Sequence, residues 1–150
     1  MAIVSATIAV DCTPDVVFAI MLDIADYPSW QGGVERIEIS DTDAEGRPVR
    51  TRWHVRAMGQ RATHSVQYEY PAEGCLEYHL LDSEVLTKYD FACRVVGAGA
   101  GSEVTVSQEL GVKWPMPQAI LDKNAKKGVN KLLEKLKAKA EEQSRIENSK

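Results

Sequence analysis

Apolar residues recur at every second position over most of this chain, while helical spacing is confined to one short stretch near the start and one long stretch at the end. Met1–Val10 reads as an apolar strand. Thr13-Pro14-Asp15 then opens a helix: Thr13 is placed to cap it, Pro14 suits its first position and Asp15 complements its dipole. Val17, Ile20, Met21 and Ile24 fall at i, i+3, i+4 and i+7 and give that helix one apolar stripe. Asp26-Tyr27-Pro28-Ser29-Trp30 ends it in a second short helical turn, and Gln31-Gly32-Gly33 releases the chain into strand.

Six strands are expected at 34–40, 48–58, 61–70, 75–81, 86–96 and 102–112, separated by short segments rich in Gly, Pro or acidic residues. Connections this short imply an antiparallel meander. A long helix from about Pro117 to about Gln143 follows, with Leu121, Ala125, Val129, Leu132, Leu136 and Ala140 on one side. The expected organisation is α+β, a single domain over 1–143 with a polar tail at 144–150. A sheet can bury one late helix only by wrapping around it, and such a wrap leaves an apolar space between the two.

Strand parity says which side chains face that space, since alternate residues point to opposite faces. In the second expected strand Thr51, Trp53 and Val55 share one face, while Arg50, Arg52, His54 and Arg56 share the other, which must meet solvent. The inward sets elsewhere include Ala62, His64, Val66, Tyr68 and Tyr70, then Leu76, Tyr78 and Leu80, then Tyr89, Phe91, Cys93 and Val95, and finally Val104, Val106, Gln108 and Leu110. Mostly apolar walls with a few hydroxyls, one imidazole and one amide are the composition of a small-molecule pocket. The candidate ligand-binding set is Trp53, Val55, His64, Val66, Tyr68, Tyr78, Leu80, Tyr89, Phe91, Val106, Gln108, Leu121, Ala125 and Val129. Trp30 and Trp114-Pro115-Met116-Pro117 are expected at the mouth.

Composition narrows the partners. The 150 residues carry a net charge of −4, with 44% hydrophobic and 27% charged residues, an ordinary balance for a globular domain and an unfavourable one for bulk phosphate binding. No segment approaches the ~20 apolar residues of a membrane span, and the first residues lack the pattern of a secretory signal, so a cytoplasmic protein is expected. Cys12, Cys75 and Cys93 are odd in number and widely spaced, as reduced thiols are, and do not pair with His54, His64 or His79 at zinc-ligand spacing. No metal and no cofactor is expected. Seven lysines stand against four acids in 118–143; this is read as a solvated helix back, with transient contact to an anionic membrane surface or RNA as the alternative. Gly97–Gly101 joins two strands and so lacks the context of a phosphate loop.

The stretch TPDVVFAIMLDIADYPSW, with Pro14, Val17, Phe18, Met21, Asp23, Ile24, Tyr27, Pro28 and Trp30 at their spacing, resembles the N-terminal signature of the START/Bet v 1-like (SRPBCC) superfamily, nearest its polyketide cyclase/dehydrase and ubiquinone-chaperone branch. Gly101–Val106 and the Pro115-Met116-Pro117 entry to the last helix resemble its closing elements. The resemblance implies a helix-grip fold, in which a seven-stranded antiparallel sheet wraps a long C-terminal helix and two short helices follow the first strand. It also implies a hydrophobic cavity, used by some members to bind lipids, quinones or sterols and by others to cyclise poly-β-ketones; a further branch resembles a ribosome-interacting toxin. The signature lies in helix-packing positions and carries no catalytic residue. Cyclisation would need a cavity acid or base, for which His64 is the candidate, its ordinary pKa lying near working pH. The expected function is therefore binding of a small hydrophobic molecule by a monomer or homodimer, with cyclase activity as the runner-up.

Overall fold

The computed structural model describes residues 3–57 and 59–148. Met1 and Ala2 of the strand expected at 1–10, Met58 at the end of the strand expected at 48–58, and Ser149 and Lys150 of the expected tail lie outside the described residues. The elements are β1 (Val4–Val10), α1 (Pro14–Leu22), a 3-10 helix (Ile24–Ser29), β2 (Val34–Thr42), β3 (Pro48–Ala57), β4 (Gln60–Glu69), β5 (Cys75–Ser83), β6 (Leu86–Ala98), β7 (Gly101–Val112) and α2 (Gln118–Asn148). All seven strands form one antiparallel sheet in the order β1-β7-β6-β5-β4-β3-β2. The chain thus runs as a meander from β2 to β7, and β7 returns to pair with β1.

Helix α2 packs against β1, β7 and α1. It buries Leu121, Ala125, Val129, Leu133, Leu136 and Ala140. Leu133 takes the place expected for Leu132, which is only partly buried; the stripe continues its step of four to Leu133, and the step of three falls between Leu133 and Leu136. The helix also runs to Asn148, five residues past its expected end. At its far end the Cys12 thiol donates to the Ala140 carbonyl (3.1 Å), tying the start of α1 to α2.

Three local expectations need correction. Thr13 occupies the N-cap of α1, with Pro14 beside it, but its side chain makes no cap bond; the helix begins through the backbone, Val17 N–H donating to the Thr13 carbonyl at 3.3 Å. Gly97–Gly101 is not a loop, because Ala98 already pairs with Gly101 and only Gly99 (φ +60°) and Ala100 turn the chain. Residues 81–84 do not all form a turn either. β5 continues through them by a bulge at Leu81, after which Asp82 pairs with Ser65 and Ser83 with His64.

That bulge decides what faces the interior. Paired residues of an antiparallel sheet share a face, and one extra residue on one strand moves its later side chains to the opposite parity. Up to Leu80 the inward positions of β5 are even-numbered; beyond Leu81, which is 52% exposed, the buried residue is Ser83.

Candidate functional site

The interior between α2 and the sheet divides into a filled part and an open part. In the filled part Tyr78 is the hub: its ring stacks on Phe91 (4.6 Å between centroids, 9° between planes) and meets Tyr68, Trp53 and Tyr89 at 5.2–5.5 Å. Tyr27 of the 3-10 helix reaches Trp53 at 5.7 Å and donates its hydroxyl to the Met21 carbonyl. Trp53, in turn, donates its indole N–H to the Thr51 hydroxyl at 2.8 Å. Burial pushes the phenols of Tyr27, Tyr68 and Tyr78 well above the ordinary tyrosine value, so they remain neutral. The Cys93 thiol is pushed up to about 12 by the same cause, which leaves it an inert core residue.

The open part is a cavity of about 550 Å³. Its sheet wall is Val55, Gln60, Ala62, His64, Leu86, Tyr89, Leu110 and Val112; the β5–β6 connection adds Val85; Trp114 and Met116 of the segment leading into α2, with Leu121 and Asn124 of α2 itself, close it. Tyr89 stands between this cavity and a smaller one of about 140 Å³ lined by Tyr78, Phe91, Gln108 and Leu132, among others. Tyr89 also accepts the Tyr78 hydroxyl at 2.9 Å, which leaves its own O–H free to point elsewhere.

His64 is a polar group of the larger cavity's wall, and Ser83 is a buried hydroxyl bonded to it. The Ser83 hydroxyl lies 2.7 Å from His64 Nδ1 and accepts the backbone N–H groups of Val85 (3.1 Å) and Leu86 (3.0 Å). Burial lowers the His64 pKa below its usual 6.5, opposed by the Thr63 carbonyl and the charge of Glu84. The Glu84 carboxylate accepts the Thr63 N–H and hydroxyl at 2.9 and 2.8 Å, and so pins the β5–β6 connection to β4 at the cavity rim.

Of the residues expected to touch a ligand, Val55, His64, Tyr89 and Leu121 line the larger cavity, and Tyr78, Phe91 and Gln108 the smaller. Trp53, Val66, Tyr68, Val106, Ala125 and Val129 are buried in the packed core, and Leu80 is partly buried against it. Trp114 and Met116 sit at the mouth as expected, whereas Trp30 packs edge-on against Tyr27 (5.6 Å) and does not line the cavity. Ser83 was hidden from parity by the bulge, Val85 and Leu86 by lying in or beside a turn, and Asn124, one helical step beyond Leu121 on α2, by being a polar residue outside the apolar stripe. The arginines at 50, 52 and 56 are exposed on the outer face.

Two other places merit description. Glu69, Glu77 and His79 bring ligand atoms within 4.8 Å of one another on the outer face, an arrangement made by β4–β5 pairing that spacing does not reveal. They are remote from the cavity chemistry, and His79 already bonds Asp90 at 2.9 Å. Along α2, Lys126 and Lys137 donate to the Ser5 and Ala9 carbonyls of β1, and Lys139 pairs with Asp26 at 3.2 Å, so three of the seven lysines are committed to the fold. No helix among the described residues is long and apolar enough to cross a membrane.

A family model described as polyketide cyclase / dehydrase and lipid transport matches residues 1–141. The chain belongs to this cyclase/dehydrase and lipid-transport family. Solved structures place the family member within the START/Bet v 1 superfamily. A START superfamily protein from Mycobacterium smegmatis is 26% identical, with a TM-score of 0.89 over 93% of this chain and 97% of that one. The Zhui aromatase/cyclase from Streptomyces sp. R1128 is 15% identical, with a TM-score of 0.80 over 93% of each chain, and a major latex-like protein from Panax ginseng is 12% identical, with a TM-score of 0.68 over 93% and 97%. At such identities the last two share the helix-grip fold and lend no activity. No curated protein matches the sequence. The family's own description spans chemistry and transport, so the choice between them falls to the cavity.

Proposed function

We propose that the protein binds a small, mostly apolar molecule between α2 and the sheet, as a carrier or sequestering protein. The observation that carries this reading is the cavity of about 550 Å³, walled by aliphatic and aromatic side chains with His64, Gln60, Asn124 and the Tyr89 hydroxyl among its few polar groups. Sites for drug-sized ligands span roughly 300–1,000 Å³ and have this mixture of greasy wall and sparse orienting groups. The surrounding core is filled by interlocked rings, so the open volume is localised rather than spread through a loose interior. His64 favours a second reading, cyclase or dehydrase chemistry, because it is the imidazole at the cavity wall and such chemistry needs a group to move protons beside carbonyls.

Calorimetric titration with 2-isopropylnaphthalene, a neutral hydrocarbon, tests the first reading. Saturable 1:1 binding that weakens at least tenfold in Ala62→Phe is expected, since the new ring occupies the cavity from the β4 side. Absence of binding, or binding untouched by that substitution, would overturn it. Native mass spectrometry of protein from its own source would then name the resident molecule.

A further inference from the structure

Helix α1 is apolar on two opposite sides. Val17, Ile20 and Met21 are buried in the core. Asp15, Phe18, Ala19 and Leu22, at i, i+3, i+4 and i+7, form a second stripe about half a turn away. Asp15 is the one polar residue among the nine of this helix, whereas a helix on a domain surface ordinarily turns a polar face away from the core. The second stripe is not sealed, since Phe18 and Leu22 are only partly buried and Ala19 is exposed. It forms one wall of an open cleft of about 770 Å³, with Tyr70 and Val96 across from it. The β2–β3 and β4–β5 connections rim this cleft through Arg47 and Glu73. It shares no lining residue with the cavity beneath α2, which lies toward the β3–β4 and β5–β6 ends of the strands. Arg47 stacks on the Tyr70 ring at 4.3 Å and donates its Nε–H to Asp43 at 2.9 Å, with Glu45 at 3.5 Å, so its charge is already answered. The carboxylates of Asp15 and Glu73 reach the same cleft without an ion-pair partner among the described residues.

We propose that this cleft is a second ligand site, independent of the cavity beneath α2, and that it takes a hydrophobic cation such as an alkyl or arylalkyl ammonium. The tail lies along Phe18 and Leu22, and the ammonium meets Glu73 and Asp15. The cleft falls within the roughly 300–1,000 Å³ of sites for drug-sized molecules. Its apolar stripe supplies the affinity, because covering it withdraws apolar surface from water. Its carboxylates supply the sign. Asp15 is partly offset by the positive end of α1, but Glu73, in the β4–β5 turn, has no such compensation. An anion would approach two carboxylates and find in Arg47 a guanidinium that is already paired. A neutral hydrocarbon would take water from both carboxylates and return nothing. An ammonium with an apolar tail covers the stripe and offsets the charge at once.

Two probes with the same tail separate the possibilities: 4-phenylbutylammonium and the neutral 4-phenyl-1-butanol, each titrated at pH 7.5 and followed by amide nitrogen-15 spectra. Gly74 and Gly97 line this cleft and neither lines the α2 cavity, so their signals read the cleft alone. Saturable shifts of both are expected with the ammonium, at an affinity roughly three- to tenfold above that of the alcohol, the yield of one or two partly exposed ion pairs. The preference should shrink as salt is raised. Glu73→Lys, in an exposed turn, is expected to abolish the preference and leave the alcohol unchanged. Ala19→Trp, on the exposed side of α1, should weaken both probes at least tenfold by filling the cleft, whereas Ala62→Phe should alter neither at these glycines. Absence of saturable shifts at Gly74 and Gly97 overturns the proposal. So does equal binding of the two probes, or a preference that survives Glu73→Lys. Shifts confined to residues of the α2 cavity overturn it as well, and leave the reading of that cavity standing.

Discussion

The two halves of the space beneath α2 are built from similar residues and behave oppositely. One half holds Tyr27, Trp53, Tyr68, Tyr78 and Phe91, each in ring contact with another and each nearly inaccessible. The other holds Tyr89 and Trp114 together with Val55, Ala62, Leu110 and Leu121, and encloses about 550 Å³. Aromatic content therefore does not mark the pocket. Consecutive strands of the filled half present large rings at adjacent positions, Tyr68 opposite Tyr78 and Tyr78 opposite Phe91. In the open half the corresponding β3–β4 pair is Val55 opposite Ala62, too small to reach α2.

Breaking the filled half should have the largest effect. Tyr78→Ala removes the ring that four others contact, and a loss of roughly 3–5 kcal/mol in folding stability is expected, the range for large aromatic deletions in cores. A chemical denaturation midpoint measures it; a shift no larger than that of Trp114→Ala would erase the contrast between the halves. Filling the open half is next. Ala62→Phe is expected to weaken 2-isopropylnaphthalene by about tenfold, near 1.4 kcal/mol, with its melting temperature close to wild type. A collapse in stability there would mean that the open half is packed as tightly as the closed one. Ser83→Ala comes third, at about 1 kcal/mol, since the Val85 and Leu86 N–H groups lose their acceptor at a rim that water can reach; an unchanged denaturation midpoint would deny the hydroxyl its structural part.

The smallest effect is on pH dependence. Burial holds His64 below its unfolded value of 6.5, so between the two values the unfolded chain binds the extra proton. Stability contributed by this group is thus complete above pH 6.5 and declines as pH falls through 6.5 toward the folded value. Urea midpoints from pH 7.5 to 5.5 should fall less steeply for His64→Phe than for wild type. Parallel profiles would show that the ring titrates in the folded protein as it does in the open chain.

Most of the fold was legible because alternation is a strong signal when a sheet has one buried face: β3, β4, β6 and β7 bury the residues that parity selects, and Arg50, Arg52 and Arg56 stay outside. The site was legible only in part, for two physical reasons. Parity names the face and not the depth, so Val66 and His64, both inward on β4, differ in whether a neighbour fills the space before them. The bulge then reversed parity at the end of β5, and nothing in the local residues LLDS distinguishes a bulged strand from a strand that stops at Leu81. The same limit explains Leu132 and Leu133, adjacent leucines between which helical periodicity alone does not choose.

The crease in β5 also makes the cavity editable by register rather than by side-chain replacement. If β5 continued without it, Asp82 in place of Ser83 would stand opposite His64, and an ionised pair would sit where a neutral one now does. Removing Leu81 would iron the crease out yet keep the hydroxyl in place. Strand length and pocket chemistry are therefore separable at this exposed leucine: deleting it flattens the strand and keeps the neutral pair, whereas a register slip that retains it brings a carboxylate to the same place.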